Sequence, residues 1–316
     1  MSHSKNWLMF GALGLIWGSS FLWIKLALEE ILPFSVVGWR TLFGFLGLLV
    51  IIRLRRIPVP RDPLTLGKFA VMGAFNVALP WLMITWAETR VASGLAAVLN
   101  GTMPLFTTVI AHFALHDDKI TAGRVLGLIV GFVGVVVLVG SNLDLTNFFQ
   151  GDTIAELALL GAVLFYALSV TFQRRYLRGQ NPVLQSTLSL GIGAAIVWSA
   201  TPLFQPYQIP TLPLTWTAVL WLGLLGSCTA FIMSYALLNA WGPTRSSLVT
   251  YVFPVVGLLL GAIFLNEALT WRLAIGAVLV IAGIVFVNAR TIWAALRPLP
   301  SPPPLTRDRA VDSQGD

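Results

Sequence analysis

The chain has 316 residues, 57% of them hydrophobic and only 10% charged, with a mean hydropathy of +0.83. A soluble globular domain carries about 25% charged residues, so that class is excluded. The net charge of +7 would suit nucleic acid only if the basic residues shared a water-facing patch; they lie between long apolar runs, and no nucleic-acid partner is expected.

A membrane-spanning helix needs about 20 mostly apolar residues. Ten such runs succeed one another, at about 7–28, 34–52, 67–87, 92–114, 122–140, 152–173, 183–203, 214–238, 243–265 and 272–292. The expected fold is an all-α integral membrane protein of ten transmembrane helices, with the lipid bilayer as its solvent.

Span 1 follows Lys5 but continues through "IWGSSFLWIKLAL" without a small-residue cleavage site, so it reads as a retained span and not a signal peptide. Span 2 sets Arg40 inside "VVGWRTLFGFLGLLV". Counted from Pro33 at 1.5 Å per residue, Arg40 lies roughly 10 Å below the outer face. Snorkelling to that interface beside Glu29 or Glu30 is one reading. The other is a clamp or positive potential for an anionic or zwitterionic solute, since the matching residue of the second half is Ser189.

In span 3, Trp81, Thr85 and Glu88 fall at i, i+4 and i+7 and share one helical face. Glu88 reads either as a solvated helix-end residue paired with Arg90 or as a titrating group on the pathway. Span 4 repeats the spacing with Asn100, Pro104, Thr107 and Ala111, and span 9 with Thr250, Pro254, Gly257 and Gly261. Span 8 supplies Phe231, Tyr235 and Leu238. Polar groups at membrane depth tend to face a bundle interior, so these stripes outline an amphipathic slot.

Pro104 and Pro254 each remove an i to i−4 hydrogen bond, which suits a packing kink or a pair of hinges. "GRVLGLIVGFVG" in span 5 and "GAVLVIAG" in span 10 space small residues for close helix packing, or for a homodimer contact. His112, near the end of span 4, reads as an interfacial or packing histidine. Cys228 is the one cysteine, so no intrachain disulfide forms. There is no metal-ligand spacing and no phosphate loop; no metal, cofactor or enzymatic chemistry is expected. All thirteen carboxylates lie in loops, the tail or near helix ends, Glu88 and Glu156 coming closest to membrane depth. That distribution favours facilitated diffusion or exchange.

Internal similarity runs at an offset of 149: Lys25 before Arg174, Pro33 before Pro182, Asp118 before Glu267, Gly127 before Gly276, Gly134 before Gly283. Pro104 precedes Pro254 by 150. The repeats fall at 1–140 and 151–292, with an outer linker at 141–150 and a disordered, proline-rich tail at 293–316. Five spans per repeat turn the second half over, giving two inverted five-helix repeats. Sixteen of the 20 basic residues fall in loops or ends on the N-terminal side, against Arg90 and Arg272 on the other, with Lys25 and Arg40 within spans. Both termini are therefore expected in the cytoplasm.

The chain resembles the EamA family of the drug/metabolite transporter superfamily. The carriers are "GLIWGSSFLWIKLAL", Arg40, "WAETRVASGLAAVLNGTMPLFTTVIAHFAL" and "VTYVFPVVGLLLGAIFLNEALTWRLAIGAVLVIAGIVFV". "HDDKIT" departs from the pattern, which has a Gly-Glu pair there. The resemblance implies an inner-membrane exporter or permease of small metabolites such as amino acids. It also implies a cavity lined by spans 1, 3, 4, 6, 8 and 9, with spans 5 and 10 peripheral. Cavity candidates are Trp17, Trp81, Asn100, Tyr166, Tyr235, Thr250 and Tyr251, with Arg40 and Glu88 as the charged ones. Rival readings are a carrier of nucleotide sugars or lipid-like solutes, and a non-transporting membrane partner.

Overall fold

The computed structural model describes residues 3–115, 120–139 and 152–289. The expected linker at 141–150, the tail at 293–316 and Asp118 lie outside the described residues. Every regular element described is a helix.

Among the described residues, eight helices are long and apolar enough to cross a membrane: α1 (Ser4–Ala27), α2 (Pro33–Leu54), α3 (Pro63–Ala87), α4 (Ser93–Ala114), α5 (Ala122–Val139), α6 (Thr153–Tyr176), α7 (Pro182–Phe204) and α8 (Pro213–Trp241). Two shorter apolar helices follow, α9 (Leu248–Phe264) and α10 (Trp271–Val287). Prolines open α2, α3, α7 and α8, at a position where the missing N–H is no loss. The apolar span expected to end at 238 continues to Trp241 and its helix to Ser246, into the residues expected to open the ninth span at 243. The Trp241 ring packs on Trp7 and Phe10 of α1 at centroid distances of 4.8 and 5.9 Å.

Helices five apart pack together: α2 on α7, α4 on α9, α5 on α10. Other contacts come in matched pairs, α3 on α6 with α8 on α1, α2 on α8 with α7 on α3, and α4 on α6 with α9 on α1.

The small residues of α5 and α10 face each other. A Cβ on Gly283 would stand 2.4 Å from the Gly131 Cα, so the two backbones touch. The stripes thus pack within the chain, while Val125, Ile129, Val133, Val136, Val278 and Phe286 remain exposed on an outer surface suited to lipid. Replacing Gly283 by valine is expected to overpack this contact, costing about 1–3 kcal/mol. The check is the melting midpoint of the detergent-purified protein; an unchanged midpoint would show that the helices separate at no cost.

Several helices are locally irregular. α3 widens into a π-helical stretch at Ala74–Ala78 and α8 into one at Trp221–Thr229. α4 turns at Gly101 and Thr102, between its two helical parts Ser93–Asn100 and Met103–Ala114, and a 3₁₀ turn at Ser247–Tyr251 leads into α9. Such segments leave carbonyls free for other partners and recur at functional sites.

Candidate functional site

The loops at 28–32, 88–92, 205–212 and 265–270 gather at one end of the bundle, the end poor in basic residues. There the first amides of several helices, which have no partner within their own helix, are capped from the other half of the chain. Glu267 accepts from Ser93 N at 2.7 Å through Oε1 and from Gly94 N at 2.9 Å through Oε2. A Cβ on Gly261 would stand 2.4 Å from that Oε2, so only glycine lets the carboxylate reach α4. Glu30 Oε1 accepts from Thr211 N and Oγ1 at 2.5 and 2.6 Å and from Leu212 N at 3.2 Å, ahead of α8. In return, Gln208 and Gln205 accept from Leu32 N and Phe34 N at 2.5 and 3.2 Å at the start of α2.

At the opposite, cation-rich end, α3 and α7 are capped by the residues just before them. Asp62 accepts from Thr65 N and Asn181 from Val183 N. His112 accepts from Ile120 N at 3.1 Å through Nδ1, joining the end of α4 to the segment ahead of α5. The interhalf caps therefore close the cation-poor end.

The hydroxyls of Thr211 and Thr215, with the amides of Thr211 and Leu212, hold the Glu30 carboxyl down at about 2, from an ordinary 4.5. A depressed carboxyl contributes its stability above the ordinary value and loses it as pH falls toward the lowered one. Hydrogen exchange of the 205–213 segment, corrected for intrinsic rate, is accordingly expected to speed up as pH drops from about 5 to about 3. In Glu30→Gln that acid step should vanish; a step that survives would assign it to another group.

Directly under this closure lies a group of charges. Lys25 Nζ donates to the carbonyls of Glu88 at 2.5 Å and Val91 at 2.9 Å. Glu88 is fully buried, with no hydrogen-bond partner for either carboxylate oxygen among the described residues. The charges acting on it are those of Lys25, Glu267 and Arg40. The solvated pairing with Arg90 is not what forms. The turn after α3 buries Ala87 and Val91 and sends Arg90 outward, its guanidinium 5.0 Å above the Trp86 ring.

Arg40 is 9% exposed, with Cζ 3.8 Å above the centroid of Trp81, a cation–π stack. It does not snorkel to Glu30, which is committed to the start of α8, and Glu29 is exposed. Tyr166 shares an apolar cluster with Trp81 and lies within electrostatic reach of Arg40. Arg40, Trp81 and Tyr166, from α2, α3 and α6, thus form one unit with Glu88 nearby. Ser189, the matching residue on α7, is also buried.

The remaining candidates are more spread out. Trp17 donates through Nε1 to Gly226 O at 3.0 Å, inside the π-helical stretch of α8. Its ring meets Phe231 and Phe253 at 6.2 and 5.4 Å. Tyr235 pairs its hydroxyl with Ser186 at 2.9 Å, and Phe231, Tyr235, Trp81 and Tyr166 share one apolar cluster. Asn100 ends the first part of α4, its buried Oδ1 without a hydrogen-bond partner among the described residues. Thr250 and Tyr251 are half-buried where α9 begins, and Pro104 is half-buried. Pro254 is buried, and a Cβ on Gly101 would stand 2.4 Å from its ring, which marks the crossing of α4 and α9.

Five residues enter that no site expectation named. Asn76, in the π-helical stretch of α3, accepts from Ser169 at 2.9 Å; the lone amide in "AFNVALPW" was its signal. Ser186, Lys25, Glu30 and Glu267 are the others, and their roles rest on contacts across the chain.

Comparisons with known proteins agree with this architecture. A family model described as the EamA-like transporter family matches residues 5–140 and 153–289. The uncharacterized transporter YoaV of Bacillus subtilis is 27% identical over 281 residues, covering 88% of this chain and 94% of its own. The uncharacterized inner membrane transporter YedA of Escherichia coli K12 is 29% identical over 311 residues, covering 93% and 95%. A solved crystal structure, 20% identical, superposes with a TM-score of 0.64 over 93% of this chain and 99% of its own, a likeness of fold.

Proposed function

The chain belongs to the EamA-like transporter family, and we propose that this multi-pass membrane protein carries small amphipathic metabolites, such as amino acids, across the inner membrane. Two inverted five-helix halves rock against each other. The matched helix contacts support that symmetry, because each pair is the image of another under a shift of five helices. Both termini are cytoplasmic, so the cation-poor end faces outward and the described state is closed to the outside. Pro104 and Pro254, beside the crossing of α4 and α9, serve as hinges. The event the protein accelerates is conformational and makes or breaks no covalent bond.

The observation that carries this reading is the Arg40, Trp81, Tyr166 and Glu88 group lying under caps that join the two halves. A buried arginine and carboxylate in a membrane bundle are costly unless they serve a pathway. Aromatic faces of Trp17, Trp81, Tyr166, Tyr235 and Tyr251 pack the apolar part of a solute, while Asn100 and Thr250 orient its polar groups. Arg40 supplies the carboxylate contact.

The test is a thermal-shift screen of the detergent-purified protein against amino acids and small metabolites, followed by flux of each stabilising compound into proteoliposomes. A ligand of the folded state raises apparent stability by mass action. The reading requires a compound that both stabilises and crosses; stabilisation without flux across many hits would point to a binding protein instead.

A further inference from the structure

In the function proposed above, neither oxygen of the Glu88 carboxylate is given a partner. It is fully exposed to neither solvent nor hydrogen-bond donor: its exposure is 0% and both oxygens lack a hydrogen-bond partner among the described residues. An anion buried in that way is expensive, whereas the neutral acid is far less so. We propose that Glu88 is a proton-binding site, and that closing the outer end of the protein takes up a proton onto it.

The surrounding geometry ties the proton to the closure. Lys25 fastens the backbone on both sides of the turn, at Glu88 O and Val91 O, so the carboxylate is buried by the same contacts that seal this end. Glu267, the cap on α4, is a second carboxylate whose charge acts on Glu88. When Glu267 sits on Ser93 N and Gly94 N, its negative charge disfavours an ionised Glu88. Two cations oppose this, Lys25 from α1 and Arg40 from α2. On α6, the helix packed on α3, the titratable groups toward this end are Asp152 and Glu156, with Tyr166 deeper in the bundle. Lys25 and Arg40 both have other engagements, the two carbonyls and the Trp81 ring.

The balance of the step is simple. On closing, the Glu88 carboxylate and one proton from the outer solution form the carboxylic acid; on opening, the acid returns a proton to that water. Low pH therefore favours the closed end and rising pH the open one. In a transporter this links an outer pH to the direction each half faces, and it rests on the alternating-access reading above. The proton held at Glu88 makes the conformational step, and through it solute movement, sensitive to the pH of the outer solution.

The experiment reads accessibility and needs no solute. In a Cys228→Ser background, Val91→Cys reports the closed end, because Val91 is 5% exposed, and exposed Thr89→Cys corrects for the pH dependence of the maleimide reaction itself. Both are labelled in lipid nanodiscs across a pH series. The corrected Val91→Cys rate is expected to rise about fivefold or more from the acid to the alkaline end of the series. Glu88→Gln should stay slow throughout, since its amide is neutral at every pH, and Glu88→Asp should keep a pH step. A rate that does not change with pH in the parent, or a step equally present in Glu88→Gln, overturns the proposal. Should Glu88→Gln fail to fold, the parent profile and the Glu88→Asp step decide. Solute flux in proteoliposomes is scored separately: flux with a pH-independent closure removes the proton and leaves transport standing, whereas a pH step without flux of any solute removes transport and leaves the proton site.

Discussion

Glu267→Ala is expected to give a protein that melts earlier and whose cation-poor end is open. The substitution deletes two carboxylate-to-amide hydrogen bonds, at 2.7 and 2.9 Å, from the first turn of α4. Loss of a helix cap costs about 0.5–2 kcal/mol, and removing a negative charge from a helix N-terminus adds about 0.3–1 kcal/mol. The total, about 1–3 kcal/mol, falls on one conformation only, because the cap joins the 265–270 loop to a helix of the other half. A two-state equilibrium biased by that much moves about 5- to 150-fold. Labelling of Val91→Cys should rise accordingly, and Glu267→Gln, which keeps one acceptor, should fall between. If Glu267→Ala melts and labels like the parent, the carboxylate is a surface ornament of the loop and the closure lies elsewhere.

Much of this architecture could be read from the chain because a bilayer imposes a length on every span and a polarity on every loop. Most expected runs and described helices agree to within a few residues; the ninth, expected from 243, does not, because the helix that begins at Ala230 runs on to Ser246 and the next apolar helix starts at Leu248. α8 outlasts its apolar run, its helix continuing to Ser246 with Trp241 edge-on to Trp7, and α3 begins at Pro63, four residues before its run, where Asp62 caps the first turn. The site was harder. Trp81, Thr85 and Glu88 do share a buried face, as their spacing required. Helical spacing places residues on one helix, however, and says nothing of what another helix brings opposite. Hence the partners of Glu30, Lys25 and Glu267, 63 to 181 residues away in the chain, and the π-helical stretches of α3 and α8 had no signature in the local sequence. Arg40 shows the limit well. Depth alone allowed an interfacial arginine beside Glu30, and only the tertiary contacts turn it inward onto Trp81.

Arg40→Ser should lower solute flux by about 10- to 150-fold, the range that corresponds to losing a hydrogen bond to a charged group worth about 1.5–3 kcal/mol. Serine is already buried at the matching position of the other half, Ser189 at 4% exposure, so the exchange keeps a residue the scaffold accepts and the stability of the protein should change little. Arg40→Lys separates two parts of the role. It retains the positive charge but not the flat guanidinium that lies 3.8 Å from the Trp81 ring, and an ammonium makes a poorer bidentate and stacked contact. If positive potential alone attracts the solute, Arg40→Lys transports like the parent. If the planar group holds a carboxylate while stacked on Trp81, Arg40→Lys falls most of the way toward Arg40→Ser, and Trp81→Leu lowers flux in the parent but adds little to Arg40→Ser, because the stack is already gone. Initial rates with the solute found by the stabilisation screen, measured for these four variants, decide between the two. Equal rates in the parent and in Arg40→Ser would remove the arginine from the pathway and leave it as a cation–π anchor between α2 and α3.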